Sequence, residues 1–538
     1  MMSTVTTILV LLAVLALTAA LAKRVPVPLP LLLIASGVAM SFVPGFERVD
    51  IEPEVFFVLF IPPLLFADGW TIPKRELLGV LRPVMLLAFG LVLITVLSVG
   101  WMVHWLIPSI PLAAAFALGA IVSPTDAVAT NAMVGRIGLP PRVTHILNGE
   151  SLINDASGLV AFRFAIVALA TGTFSWWGAA GSLALVSVGG AVIGVAIAWI
   201  VGAIRTSLRN YCADDPSVQT VLSVLTPFAA YIAAETANVS GILAVVSAGL
   251  FAGWNDFRTL DAATRQHAWE VWDMLLFAFN GIVFLLLGMT VSHALSAFGA
   301  ENWRIHVTYA LVLWAALTVM RVIWVYPAAY LPHWLFPRIR AREGPRDPRD
   351  VFLIGWAGLR GSVTMAAALS IPVTLSGGEP FPGRELLIFL AASTIVLTLV
   401  LNGLTLPLLV RAFGVQRDRG ADRDRRVAEI AIAQAGIAAI ERELSKLSHP
   451  EEVARARDLL AAYARRADRH TANAERAVAL AVAQATERRL IMLGLEAERR
   501  ELYALRDAGT INDETLRDIE TRLDSVEMYA TDAARGAR

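Results

Sequence analysis

Residues 145–171, HILNGESLINDASGLVAFRFAIVALAT, form an apolar stretch whose first half carries Glu150, Ser151, Asn154 and Asp155. About 20 mostly apolar residues suffice to cross a bilayer as a helix, so the stretch is long enough. A helix entering near His145 places Asp155 about 15 Å along its axis, near the midplane, at roughly 1.5 Å per residue. A carboxylate at that depth costs at least ~3 kcal/mol on insertion scales. Ser151 and Asp155 share one stripe of the helix. Glu150 and Asn154 form a second stripe, about 100° round. Two adjacent polar stripes cannot both face lipid, so they face a cavity or other protein groups.

The rest of the chain has the same character. Apolar runs fill positions 5 to 412, and the whole is 57% hydrophobic and 17% charged, which excludes a globular enzyme with a large core and indicates a polytopic all-α membrane protein. A single cysteine, Cys212, excludes an intrachain disulfide and argues against a cysteine-ligated metal. Residues 5–22 have the length of a signal peptide, but the basic pair Lys23-Arg24 follows the run instead of preceding it, so a first span entering from outside is expected.

The hydropathy pattern predicts about thirteen spans, near 5–22, 26–43, 54–70, 81–107, 111–134, 144–171, 178–203, 217–236, 240–254, 272–295, 306–331, 351–374 and 385–411. Loop charge alternates along them. Lys23 and Arg24, Lys74, Arg75 and Arg82, Arg136 and Arg142, Arg205 and Arg209, Arg258 and Arg265, and the run Arg338 to Arg349 fall on one side; the other side has Arg48, Arg304 and Arg384. The positive-inside rule then puts the N-terminus outside and the C-terminus in the cytosol.

Thirteen spans divide into six, one connecting helix, and six, so the second set is inverted relative to the first. The fifth span of the first set contains Ser123-Pro124-Thr125-Asp126, and the fifth of the second contains Gly358-Leu359-Arg360-Gly361. Paired breaks in inverted repeats point to a transporter's site. Unwound backbone frees carbonyls for a cation and leaves half-helix ends with partial charges, which Asp126 and Arg360 are suited to compensate. Asp155, Ser151, Asp126 and the Thr125 carbonyl supply the oxygen ligands that a hard monovalent cation prefers.

Residues 415–538 are rich in Ala, Arg and Glu, with helical apolar spacing in 427–447, 452–484 and 487–507 and a last helix after Asn512, a candidate N-cap. Two domains follow: a transmembrane domain at 1–412 and a helical cytosolic tail at 413–538. The tail has no Walker loop, nucleotide fingerprint or metal-ligand cluster, and its basic start, Arg417 to Arg426, suits juxtamembrane lipid better than nucleic acid.

The strings SPTDAVAT, NGESLINDASGLV, NVSGILAVVSAGL, NGIVFLLLGM and WAGLRGSVTMAAALSIP resemble the monovalent cation:proton antiporter-1 family, the bacterial sodium/proton exchangers above all, over about residues 5–412. The resemblance implies a thirteen-helix fold, a dimerisation domain and a six-helix core domain moving like an elevator, a homodimer, and no cofactor beyond the transported Na⁺ and H⁺. It implies that Asp155 binds ion and proton, that Asn154 marks electroneutral exchange, and that Asp126, Ser151 and Thr125 are further ligand positions. It also implies a buried ion pair of Glu150 with Arg360. One position departs: where many relatives have glutamate in Pro-Pro-Leu-Leu-Phe-Glu, this chain has Ala67, and the neighbouring Asp68 is about 100° round the helix. Arg163, Glu235 and Arg321 also lie within spans, Arg163 expected to pair within the protein and the other two without an assigned role.

The expected function is therefore exchange of Na⁺, with Li⁺ or K⁺ as alternatives, for H⁺ across the plasma membrane by alternating access, serving pH and sodium homeostasis. A cation channel and a K⁺-preferring antiporter are the alternatives. No filter-like repeat favours the channel, and an intramembrane enzyme of the HExxH type lacks its motif.

Overall fold

The computed structural model describes residues 4–44, 53–134, 138–171, 176–211, 215–297, 299–338, 347–375, 378–414, 419–471, 474–508 and scattered positions between 510 and 528. Cys212, Arg48, Arg136, Arg417 and Asn512 lie outside the described residues. Two compact units divide the chain, Met1–Arg417 and Asp418–Arg538.

Among the described residues the first unit is helical apart from an isolated bridge between Thr374 and Pro380. Its helices are α1 Thr4–Ala22, α2 Leu29–Met40, α3 Pro53–Thr71, the short α4 Lys74–Gly79, α5 Leu81–Leu106, α6 Leu112–Val122, α7 Ala127–Val134 and α8 Pro141–Thr171. They continue with α9 Trp176–Tyr211, α10 Pro216–Thr236, α11 Gly241–Thr259, α12 Ala262–Ala297, α13 Gly299–Leu335, α14 Pro348–Trp356, α15 Ser362–Leu369 and α16 Arg384–Ala412. Seven of these are long and apolar enough to cross a bilayer, and α6 with α7 make an eighth, bent by 46°. Helix is the expected solution, because lipid offers no partner for an unpaired backbone group.

Two groups of helices result. Helices α1–α3 pack with α9–α12, and α5–α8 pack with α13–α16. Small residues let backbones approach within the first group. A Cβ on Gly37 of α2 would stand 2.1 Å from the Leu285 carbonyl oxygen of α12, and one on Gly288 of α12 would stand 2.1 Å from that of Ile34. Where lipid is as apolar as the side chains, such close packing takes over from the hydrophobic drive between helices.

Both expected breaks are present. The span anticipated at 111–134 is interrupted between α6 and α7, where Pro124 removes a backbone donor, and the one at 351–374 is interrupted between α14 and α15. The latter helix also stops at Leu369 instead of 374, just before Pro372. A different local change occurs in α5 and α16, each of which widens into a π-helical turn, at Leu86–Leu91 and Thr398–Gly403. In α5 the carbonyls of Leu86 and Ala88 accept hydrogen bonds from the Trp324 indole and the Ser157 hydroxyl. The second turn supplies Thr398 and Asn402 as partners for the α14–α15 break.

The second unit contains α17 Arg419–Leu444, α18 Pro450–Thr471 and α19 Ala474–Asp507. The expected boundary near residue 485 is displaced, since 484–487 contains neither Gly nor Pro to break a helix. Gly436 of α17 lies against Tyr463 of α18, and Arg499 of α19 pairs with Asp524 and Glu527.

One expected contact is corrected. Glu150, fully buried, is bridged by Arg321 of α13 and not by Arg360: the two terminal guanidinium nitrogens each donate to one carboxylate oxygen, Nη1 to Oε1 and Nη2 to Oε2 at 2.7 Å. Arg321 also donates to the Ile354 carbonyl of α14 at 3.1 and 3.2 Å, so it ties α8, α13 and α14 together. The forked guanidinium matches a carboxylate bidentately. Arg360 is held elsewhere because the carbonyl ends of two half-helices converge on it, as described below.

Removing one partner of a buried pair strands the other charge, which costs roughly 3–5 kcal/mol. Glu150→Gln and Arg321→Met should each lower the unfolding temperature sharply in detergent, and the double variant should lose much less than the sum. The same cycle run with Arg360→Gln in place of Arg321→Met should give the smaller coupling; an equal or larger one would return Glu150 to Arg360.

Candidate functional site

Where α6–α7 and α14–α15 cross, four half-helix ends meet. Ends of one kind crowd partial charges of one sign, so each pair needs a counter-charge. Asp126 supplies it for the N-termini. Its Oδ1 accepts from the Ala129 N–H at 2.9 Å, at the start of α7, and its Oδ2 accepts from the Ser362 N–H at 3.3 Å, at the start of α15. Arg360 supplies it for the C-termini, donating from Nε to the Val122 carbonyl at 3.1 Å and from Nη1 to that of Gly358. The two breaks are also stitched directly, Asp126 N–H to Leu359 C=O at 2.8 Å and Thr130 hydroxyl to Ala357 C=O at 3.1 Å. Gly361 is required here, for a Cβ would stand 1.6 Å from Asp126 Oδ2.

Helix α8 passes beside this crossing. Ser151 Oγ accepts the Ala127 N–H at 3.4 Å, satisfying another donor at the start of α7. On the second stripe, Asn154 Nδ2 donates to the Thr125 hydroxyl at 2.9 Å, and that hydroxyl donates to Glu150 Oε1 at 3.3 Å. Thus the Thr125 side chain belongs to the Glu150–Arg321 network.

A cavity of about 100 Å³ lies at the crossing. On one side its wall is Thr125, Asp126, Ser151, Asp155 and residues Gly361 to Thr364; on the other it is Leu64 and Asp68 of α3 and Leu276 and Asn280 of α12. The walls therefore come from different helix groups. At ~30 Å³ per water in the liquid, the space suits a partly hydrated monovalent cation. Among the described residues no cluster of three or more His, Cys, Asp or Glu has the arrangement of a metal site. A cation here would instead be held by Asp155 and Asp126 with hydroxyl and carbonyl oxygens.

Asp155, Asp126, Ser151 and Thr125 thus line one cavity. Asn154 is turned away toward Thr125, and Glu150 belongs to the supporting network. Sequence reasoning assigned Arg321 no role, although an arginine inside an apolar span already demands a partner. Asp68, one residue on from Ala67, stands on the cavity wall.

Comparison with known proteins agrees with this architecture. The family model described as sodium/hydrogen exchanger, transmembrane, matches residues 10–412. An uncharacterized Na⁺/H⁺ exchanger of Escherichia coli is 37% identical over 97% of this chain and 98% of its own. A sodium, potassium, lithium and rubidium/H⁺ antiporter of Bacillus pumilus is 43% identical over 75% of this chain, which spans 60% of that protein's length. Among solved structures, a sodium proton antiporter of Methanocaldococcus jannaschii superposes with a TM-score of 0.59 at 19% identity, covering 76% of this chain and 98% of that one, a likeness of fold. With the family model matched over three quarters of its length and helices apolar enough to cross a bilayer many times, this chain is a multi-pass membrane protein of the sodium/hydrogen exchanger family.

Proposed function

We propose that the protein is a secondary antiporter in the plasma membrane, exchanging Na⁺ for H⁺ by alternating access at Asp155. The observation that carries this reading is the cavity where Asp155 and Asp126, on one helix group, face Asp68 and Asn280 on the other. A site walled by two bodies opens to alternate sides when one body moves past the other. Asp155 holds a proton or a cation, not both, because the cation needs the anionic form. Neutralised by either, the group crosses; bare, it resists crossing, since a naked buried charge is expensive. Exchange then needs no ATP, and coupling rests on the rarity of empty crossing. Asn154, turned to Thr125, positions the break; Asp126, Ser151 and the Thr125 carbonyl complete the ligand set, and Asp68 draws the cation in from the opposite wall.

The finer topology belongs to the same reading: about thirteen crossings in two inverted repeats, an exchanger domain at 1–412, N-terminus outside, and a cytosolic tail. Assembly as a homodimer and service in pH and sodium homeostasis rest on the family resemblance. The ion range extends beyond Na⁺ to Li⁺ and K⁺, a proposal supported by the name of the Bacillus pumilus relative. Transport in proteoliposomes under imposed Na⁺, Li⁺, K⁺ or Rb⁺ gradients tests both, since an antiporter couples each accepted ion to proton movement and a channel conducts without coupling.

Asp155→Asn keeps the shape and removes the titratable group, so exchange should vanish while the protein still inserts and purifies. Substantial exchange in that variant would sink the mechanism. Both oxygens of Asp126 are committed to helix ends and Glu150 to Arg321, and Asp68 on the opposite wall is taken to keep its charge through the cycle, so that Asp155 trades one proton for one ion. Exchange should therefore be electroneutral. Rates and end-points measured at several clamped membrane potentials should coincide; dependence on potential would mean a second proton, carried by Asp126 or Asp68.

A further inference from the structure

Eight residues beyond Asp155 on α8, about 12 Å along the helix, Arg163 reaches across to the other helix group. Its Nη1 is 2.7 Å from Glu235 Oε1 of α10, and its Nη2 donates to the Tyr231 hydroxyl of α10 at 3.1 Å. Its guanidinium lies over the Phe57 ring of α3, 5.9 Å from the centroid. Glu235 is anchored on its own side, for the same Oε1 accepts the Gly241 N–H at the start of α11 at 3.2 Å.

The position along the helices gives this cluster its meaning. On α3, Phe57 faces Arg163, whereas Asp68, further along the same helix, lines the cavity with Asp155. At roughly 1.5 Å per residue Phe57 lies about 16 Å from Asp68 along α3, as Arg163 lies about 12 Å from Asp155 along α8, so the cluster sits to one side of the cavity, away from Asp68. A charged residue of α8, the helix that carries the ion-binding carboxylate, is clamped to two helices of the facing group on the side away from Asp68.

We propose that Arg163, Glu235 and Tyr231 form a gate on that side, the outer one by the loop charges, and that Arg163 and Glu235 must separate each time Asp155 is exposed there. The proposal rests on the alternating-access reading above. About a third of each partner's side chain is exposed, 39% and 34%, so packing does not lock the pair together. A buried pair such as Glu150–Arg321 lacks that property and stays closed. The gate accordingly sets the balance between states without welding it.

The test uses the full-length protein in proteoliposomes of known sidedness, with cation-driven proton movement measured from each face. A partly exposed pair contributes modestly, so Glu235→Gln should shift the balance about two- to fivefold toward the outward-open state. Apparent KM for Na⁺ should fall at the outer face and rise at the inner face. Tyr231→Phe, which removes one hydrogen bond, should shift both in the same directions by less, and the charge exchange Arg163→Glu with Glu235→Arg should bring them back toward the parent values. Independently, cysteines at 163 and 235 in a Cys212→Ser background, joined by a short bis-thiosulfonate, should block exchange until reductant releases them. Unchanged sidedness in Glu235→Gln, or full exchange in the joined protein, would overturn the gate. Absence of coupled exchange in the parent protein would instead overturn the functional reading on which it rests.

Discussion

Everything in the membrane unit depends on neutralising two interrupted helices inside a low-dielectric slab. A break frees backbone groups that lipid cannot satisfy and exposes half-dipoles of one sign to each other. One carboxylate and one guanidinium solve the problem at the crossing: Asp126 accepts at the two N-terminal ends, and Arg360 donates at the two C-terminal ends. With the crossing neutral in itself, Asp155 on the neighbouring helix becomes a charge without a fixed counter-charge of its own. That is the condition for a group whose protonation can be traded for an ion.

Around this centre the polar groups sort by what they must hold. Glu150 and Arg321 satisfy one another and pin α8, α13 and α14, so that the helix carrying Asp155 keeps its register against the breaks. Asn154 and Thr125 join that network, and Ser151 caps α7. The cavity is left with oxygen atoms on one helix group and Asp68 and Asn280 on the other. Relative movement of the groups would separate the cation from half of its wall, which couples occupancy to access.

Much of this was legible in the sequence, because depth in a membrane turns a charge into a strong constraint. The positions of Asp155, Asp126 and the paired breaks follow from span boundaries, helical spacing and Pro or Gly within apolar runs. Partner choice was not legible: two arginines, Arg321 and Arg360, reach the same neighbourhood, and only the position of the carbonyl ends decides which of them is left for Glu150. Nor was the place of Asp68: it shares with Leu64, one turn earlier, the face of α3 that lines the cavity, and the spacing within α3 alone does not say which face that is. Arg163 and Glu235 were visible as intramembrane charges, but their spacing on separate helices gives no register between them.

The claim at the centre is that one carboxylate serves both ions in turn. Its most direct test is proton release on cation binding, followed with a pH indicator in weakly buffered detergent solution as Na⁺ is added. The account predicts about one proton released for each Na⁺ bound, with release and binding both lost in Asp155→Asn. Saturable Na⁺ binding that releases no proton, or release that persists undiminished in Asp155→Asn, would contradict it.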